Sequence, residues 1–240
     1  MTRILAIDTS SAWCSVALSL ADAAPLIRHQ KVAAGASQLL LPWIDELLAN
    51  SASTLSSLDA IAIGVGPGAF TGVRLGVAVA QGLATASRLP VLPVASLDAI
   101  AAQLVKKSGF IDAQASSFVI AVDARMGEVY WAKYCVTPHS LPKRVGDIQL
   151  TAPELLDLSG VQFIAGSALI EYEDRLFTSI ESPFTSSHRD ADIGIEALGV
   201  LACAQSMWDQ GLAQDVHLLE PLYIRNKVAY TAAERRQQHG

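Results

Sequence analysis

The chain opens on Ile4-Leu5-Ala6-Ile7, four apolar residues in succession, the pattern of a strand covered on both faces. Asp8-Thr9-Ser10-Ser11 supplies a turn, and residues 14–20 alternate as a second strand. Residues 25–32 read as a third strand, confined to a sheet edge by Pro25. Behind Ser37, a suitable N-cap, Leu40, Ile44, Leu47 and Leu48 recur on one helical face. A Ser-rich loop at 51–57 leads to a buried strand at 61–65. There follow a glycine-rich turn at 66–72, a helix over 73–88, a short strand at 91–94, and a helix capped by Ser96 that ends near Lys107-Ser108-Gly109. Three strands and then alternating helices and strands predict an α/β fold with a mixed sheet.

At Phe118 the pattern restarts. Ile120-Ala121-Val122-Asp123 echoes Leu5-Ala6-Ile7-Asp8 at an offset of 115 residues, and at the same offset Ala17 matches Ala132 and Val16 matches Trp131. The second half predicts a strand at 145–150, a short helix at 153–158, a strand and turn at 161–166, and a long helix at 196–212. The expected organisation is two related lobes, 1–107 and 118–226, followed by a flexible polar tail at 227–240.

Composition sharpens this picture. With 51% apolar and 17% charged residues among 240, the chain can bury a sizeable core, which excludes intrinsic disorder. The net charge of −6 argues against a free-standing nucleic-acid binder, whose footprint is a basic patch. Residues 1–110 carry seven Lys/Arg and six Asp/Glu, whereas 111–240 carry ten and seventeen, so the charge boundary coincides with the restart. Three scattered cysteines make no disulfide framework. No signal-peptide core and no membrane span is evident, so the expectation is a cytoplasmic protein without membrane contact.

Two segments carry candidate chemistry. Asp8-Thr9-Ser10, at the end of a buried strand, has two readings: a phosphate- or metal-binding turn, or a turn whose side chains satisfy local backbone groups. Gly66-Pro67-Gly68-Ala69-Phe70-Thr71-Gly72-Val73-Arg74 leads from a strand into a helix, where glycines admit a close neighbour and free N–H groups attract an anion. Without a following Gly-Lys-Ser/Thr it is no P-loop, and tight packing is its other reading. The helix behind it interleaves Gly76, Ala78, Ala80, Gly82, Ala84 and Ala86 with larger residues, for packing within the lobe or against another chain. No nucleophile elbow occurs and the five histidines are scattered. Arg125 and Glu128 place opposite charges on the turn that corresponds to Asp8, where a salt bridge is the simplest reading.

Taken in order, the 4–10 segment, the 66–74 segment, Asp123-Ala124-Arg125-Met126-Gly127-Glu128-Val129-Tyr130-Trp131 and Glu220-Pro221-Leu222-Tyr223-Ile224-Arg225-Asn226 resemble the TsaB (YeaZ) family. The resemblance implies a duplicated actin-like ATPase (ribonuclease H-like) α/β fold. It also implies the role of a non-catalytic scaffold that pairs with the catalytic paralogue TsaD. That complex installs threonylcarbamoyl on N6 of adenosine 37 in tRNAs reading ANN codons, with TsaE as an ATPase partner and TsaC supplying the activated donor. Further implications are tRNA contact only through the complex, self-pairing as the alternative to pairing with TsaD, no cofactor bound alone, the junction with TsaD as the place for ATP or ADP if one binds, and a metal in the partner only. In TsaD the strand after the glycine-rich helix leads into a His-x-x-x-His metal site. Here the two positions are Ser96 and Ile100, and Ala36 stands where some members carry a histidine. No catalytic or metal residue is therefore expected. The nucleotide-binding candidates are Asp8, Thr9, Ser10, Gly66, Gly68, Thr71 and Gly72. The expected interface is Leu40, Trp43, Ile44, Leu47, Val73, Val77, Ala80, Leu83 and Ala84. The alternative reading is an active ATP-dependent small-molecule kinase or ATPase of the same fold.

Overall fold

A computed structural model describes residues 2–20, 23–32, 35–138, 140–177 and 184–225; the expected tail at 227–240 lies outside them. Strands β1 (Ile4–Asp8), β2 (Trp13–Ser19), β3 (Leu26–Lys31), β4 (Ala60–Gly64) and β5 (Val91–Val94) form one sheet in the order β3-β2-β1-β4-β5. Strands β6 (Ser117–Asp123), β7 (Val129–Cys135), β8 (Lys143–Thr151), β9 (Phe163–Ala165) and β10 (Arg189–Asp190) form a second in the order β10-β9-β6-β7-β8. Read from the other edge, the second order is β8-β7-β6-β9-β10, the same topology. In both sheets an antiparallel three-strand meander is extended by two parallel strands. This is the duplicated actin-like arrangement. The repeat holds at an offset of 115 in the second strand but slips by one in the first. Ala17 and Ala132 both face the central layer, and Val16 and Trp131 both face outward. Since Ala17 pairs with Ala6 and Ala132 with Ile120, Ile120 and not Ala121 is the counterpart of Ala6.

Helices sort by the size of the residues on each sheet face. On β1 and β4, Leu5, Ile7, Ile61 and Ile63 point to one side, where they bury Leu40, Ile44 and Leu47 of α1 (Ala36–Asn50) and Val73, Val77, Ala80 and Ala84 of α2 (Phe70–Ser87). On the opposite side Ala6, Ala17, Ala60 and Ala62 leave a shallow surface, and α6 (Ala197–Asp209) lies directly on it. Beside α6 runs α3 (Ser96–Leu104), so close that a Cβ on Gly199 would stand 2.3 Å from the carbonyl oxygen of Ala99. Phe118, Tyr134 and Phe163 of the second sheet close this central layer from below, while α5 (Ala168–Leu176) covers that sheet's far face. A short α4 (Ser108–Asp112) links the halves. The order of layers is α1/α2, first sheet, α3/α6, second sheet, α5.

Several expected boundaries move. Helix α1 starts at Ala36 behind Gly35, whose φ of 101° only glycine adopts readily, so Ser37 is not its cap. Ser96 is the first residue of α3, with Ala95 in the cap position, and the helix stops at Leu104, short of Lys107. The 153–158 helix is a single 3-10 turn, Pro153–Leu155, and α5 and β10 lie where no element was expected. The lobe assignment 118–226 also changes, because α6 packs on β1, β2, β4 and β5 and the chain after it runs along the first lobe. The charge boundary marked the start of the second sheet, but from Ala197 to Leu222 the chain packs on the first lobe. No helix among the described residues is long and apolar enough to cross a membrane.

Candidate functional site

The fold brings the two sequence candidates into one place. The turn after β1 meets the glycine-rich turn after β4 because β1 and β4 are parallel neighbours whose C-terminal ends lie at the same end of the sheet. There Ala69 N–H donates to the Ser10 carbonyl at 2.6 Å, and Thr9 Oγ1 donates to the Gly72 carbonyl at 2.7 Å. What approaches the glycines is therefore this turn. A Cβ on Gly68 would stand 2.2 Å from the Ser10 carbonyl oxygen, and one on Gly72 would stand 1.9 Å from that of Thr9. Helix α2 starts pressed onto the backbone of Thr9 and Ser10, and any side chain at Gly72 would prevent it.

Asp8 lies beneath this contact, with no exposed surface. Its Oδ1 accepts the Ser10 N–H at 2.9 Å, and both carboxyl oxygens lie within 3.1 Å of Ser10 Oγ. Ser10 Oγ is in turn 3.0 Å from Ser96 Oγ, itself 3% exposed. Burial pushes the Asp8 carboxyl up to about 7, against the lowering effect of the Ser10 bonds. The hydroxyls can serve both protonation states. A neutral Asp8 donates to Ser10 Oγ, which then donates to Ser96, and an ionised Asp8 reverses the chain. Ser96 thus joins the cluster from α3, although the sequence singled it out only as a cap and as a missing metal ligand. Ile100, the second of those positions, is 3% exposed in the central core.

Of the seven nucleotide candidates, Asp8, Thr9, Ser10 and Gly66 are buried, Gly68 and Gly72 are half-buried against the turn, and Thr71 alone is exposed. A metal–phosphate group at Asp8 would have to displace Ser10, Ser96 and the start of α2, so the residues present do not fit it. On the second lobe, the Asp123 carboxylate accepts from Tyr172 OH at 2.8 Å and from Arg125 N–H at 2.7 Å. The expected Arg125–Glu128 bridge does not form: Arg125 pairs with Asp123, and Glu128 pairs with Arg225. Asp98 of α3 accepts from Tyr134 OH at 2.7 Å and pairs with Arg144, tying the central layer to β7 and β8.

The expected interface residues divide sharply. Leu40, Ile44, Leu47, Val73, Val77, Ala80 and Ala84 are at most 5% exposed and form the outer core of the first lobe, so they face inward. Trp43 and Leu83 are half-buried. The surface of these helices is made by their neighbours. Leu41 is 47% exposed and Phe70 43%, with Pro42, Asp45, Arg74, Ala78, Gly82 and Thr85 also exposed. Hydrophobic spacing located the helices correctly but selected the stripe that binds the sheet.

Residues 30–187 match the family model described as TsaD, tRNA N6-adenosine threonylcarbamoyltransferase. Along nearly its whole length the chain is similar to proteins named tRNA threonylcarbamoyladenosine biosynthesis protein TsaB. The Escherichia coli (strain K12) protein is 34% identical, with 95% of this chain and 96% of that protein covered. The Haemophilus influenzae protein is 36% identical, with 95% of each covered. The solved structure of YeaZ from Pseudomonas aeruginosa superposes with a TM-score of 0.80 at 34% identity, over 93% of this chain and 100% of that one. With this sequence identity over 95% of its length and this fold, the chain belongs to the TsaB (YeaZ) family.

Proposed function

We propose that this chain is the non-catalytic scaffold of tRNA threonylcarbamoyladenosine biosynthesis and pairs with the catalytic paralogue TsaD through the outer face of α1 and α2. The observation that carries the reading is the near full-length similarity to proteins named for that pathway. Two features of the molecule support the non-catalytic part. The Asp8–Ser10 turn is filled by the chain's own backbone and hydroxyls, and the two positions of the paralogue's metal pair are a buried serine and a buried isoleucine. The same features weigh against an active kinase or ATPase. TsaE and TsaC join the reading as functional partners. A net charge of −6 favours tRNA contact made through the complex and not by this chain alone.

The docking face is the exposed stripe: Leu41 on α1, with Phe70, Ala78 and Gly82 on α2. Small residues at its centre let a partner helix come close, and larger apolar residues flank them. The test uses Ala78→Arg and Gly82→Glu, which place a bulky charge on this face without entering the core. Each should weaken co-purification with TsaD by about 100-fold or more while leaving thermal unfolding nearly unchanged. Ala80→Arg is unsuitable, because Ala80 has no exposed surface and the arginine would break the fold. Undiminished pairing by both surface variants would overturn this assignment of the face.

A further inference from the structure

The segment after α6 runs along the first lobe and then crosses to the second. Gln214 leaves α6 for the open edge of β5, where it exchanges two backbone hydrogen bonds with Val91, at 2.8 and 2.9 Å. Leu219 is 1% exposed in the outer core of the first lobe, and its carbonyl accepts from Gln81 Nε2 at 2.8 Å. Leu222 donates its N–H to the Val65 carbonyl at 2.8 Å, just before the glycine-rich turn, and its side chain packs against both the outer and the central core. Arg74 Nε donates to Tyr223 OH at 2.8 Å, and its guanidinium lies 3.7 Å from the centre of the Phe70 ring.

Three residues beyond Leu222 the chain has crossed to the other lobe. Arg225 Nη2 donates to the carbonyls of Ala124 and Arg125 at 3.1 and 3.3 Å and pairs with the carboxylate of Glu128. All three acceptors belong to the turn between β6 and β7, the counterpart of the Asp8 turn. Three residues reach at most about 11 Å. The strap therefore ties the glycine-rich turn of the first lobe to the β6–β7 turn of the second over a short span, with Arg225 bonded through Nη2 while its buried Nε has no partner. At its far end Arg225 makes a charge-assisted pair in which the guanidinium is 15% and the Glu128 carboxylate 35% exposed, so solvent screens it in part.

We infer that residues 219–225 are an internal clamp that sets the separation of the two lobes, occupying the role that a ligand gripped by both lobes would have in a duplicated fold of this kind. A ligand shifts a two-state equilibrium only through contacts that differ between the states. Here those contacts are made in cis, by a segment of the same chain through hydrogen bonds and an ion pair, so the chain holds one closure whether or not a nucleotide is present. The clamp also orders Arg74 and Phe70 at the start of α2, which keeps the outer face of that helix in a constant shape. The inference concerns the isolated chain and stands whichever partner binds α2.

Amide hydrogen exchange on the full chain tests it, comparing the unsubstituted protein with Arg225→Met, Glu128→Gln and Arg225→Lys. Loss of the Arg225–Glu128 pair should speed exchange about tenfold at the Ala124 and Glu128 amides of the second lobe. It should do the same in the first lobe, at the Leu222, Ala69 and Ser96 amides. The Met and Gln variants together should add little to either alone, and Arg225→Lys should restore part of the protection. ATP with magnesium at millimolar concentration should leave the unsubstituted protein unchanged. Faster exchange confined to residues 124–128 in both single variants, or nucleotide-dependent protection of both turns, would overturn the clamp.

Discussion

Gly72→Ala is expected to destabilise the protein by more than about 3 kcal/mol, although alanine is the better helix former by about 1 kcal/mol. The added methyl would stand 1.9 Å from the Thr9 carbonyl oxygen, a backbone atom that cannot swing aside. Helix α2 would have to lift away from the turn, giving up the Thr9 Oγ1 bond to Gly72 and the Ala69 bond to Ser10. Overpacking of a close backbone contact costs more than propensity returns. Gly82→Ala in the same helix is the control. No atom lies within 4 Å of its Cβ position, so the same change there should stabilise by about 0.5–1 kcal/mol. Denaturant midpoints of the two variants decide the matter, and equal midpoints would disprove the close contact.

The second large effect is a pH dependence carried by Asp8. Its folded-state value, about 7, lies above the ordinary 3.8, so the native state holds a proton that the unfolded chain has released between those values. Stability from the neutral, buried carboxyl is complete below pH 4 and is lost as pH rises towards 7. The slope approaches 1.4 kcal/mol per pH unit and the total is about 4 kcal/mol. Asp8→Asn has no proton to lose and should flatten the profile over that window, so that it gains on the unsubstituted protein as pH rises from 4.5 to 8. Asp157 contributes in the opposite sense and elsewhere. Lys133 and Ser159 lower its carboxyl to about 2, so its contribution is lost only as pH falls below 4. A constant stability difference between the Asn variant and the unsubstituted protein across pH 4.5–8 would show that Asp8 is ionised throughout.

Strand and helix positions in the first lobe were legible because β1 and β4 are covered on both faces and α1 and α2 on one, which writes their periodicity plainly. The second lobe was less so. Helix α5 is short and rich in charge, and β10 has two residues, too few to leave a period. The large and small residues alternating along β1, as in Leu5-Ala6-Ile7, in fact encode which side takes α1 and α2 and which takes α6. That meaning appears only once the partner of each face is known. Apolar spacing on α1 and α2 could not distinguish a stripe facing its own sheet from one facing another chain, since both bury the same kind of surface.

The candidate site shows the same division. Asp8-Thr9-Ser10 and the glycines could be singled out from the sequence, because turn residues and close-approach residues have few substitutes. Whether the space the glycines open is filled by a ligand or by the protein depended on the parallel pairing of β1 with β4, a contact between residues more than fifty positions apart. Likewise Ser96, Leu222 and Arg225 acquire their roles from chain segments remote in sequence. The sequence by itself determined the duplicated α/β fold, the family and the identity of the two turns, since these rest on local periodicity and on motifs of fixed spacing. Only the tertiary structure decided which faces are free, which helix crosses between lobes and what fills the space between the turns, because close packing is settled by atoms that meet across the chain.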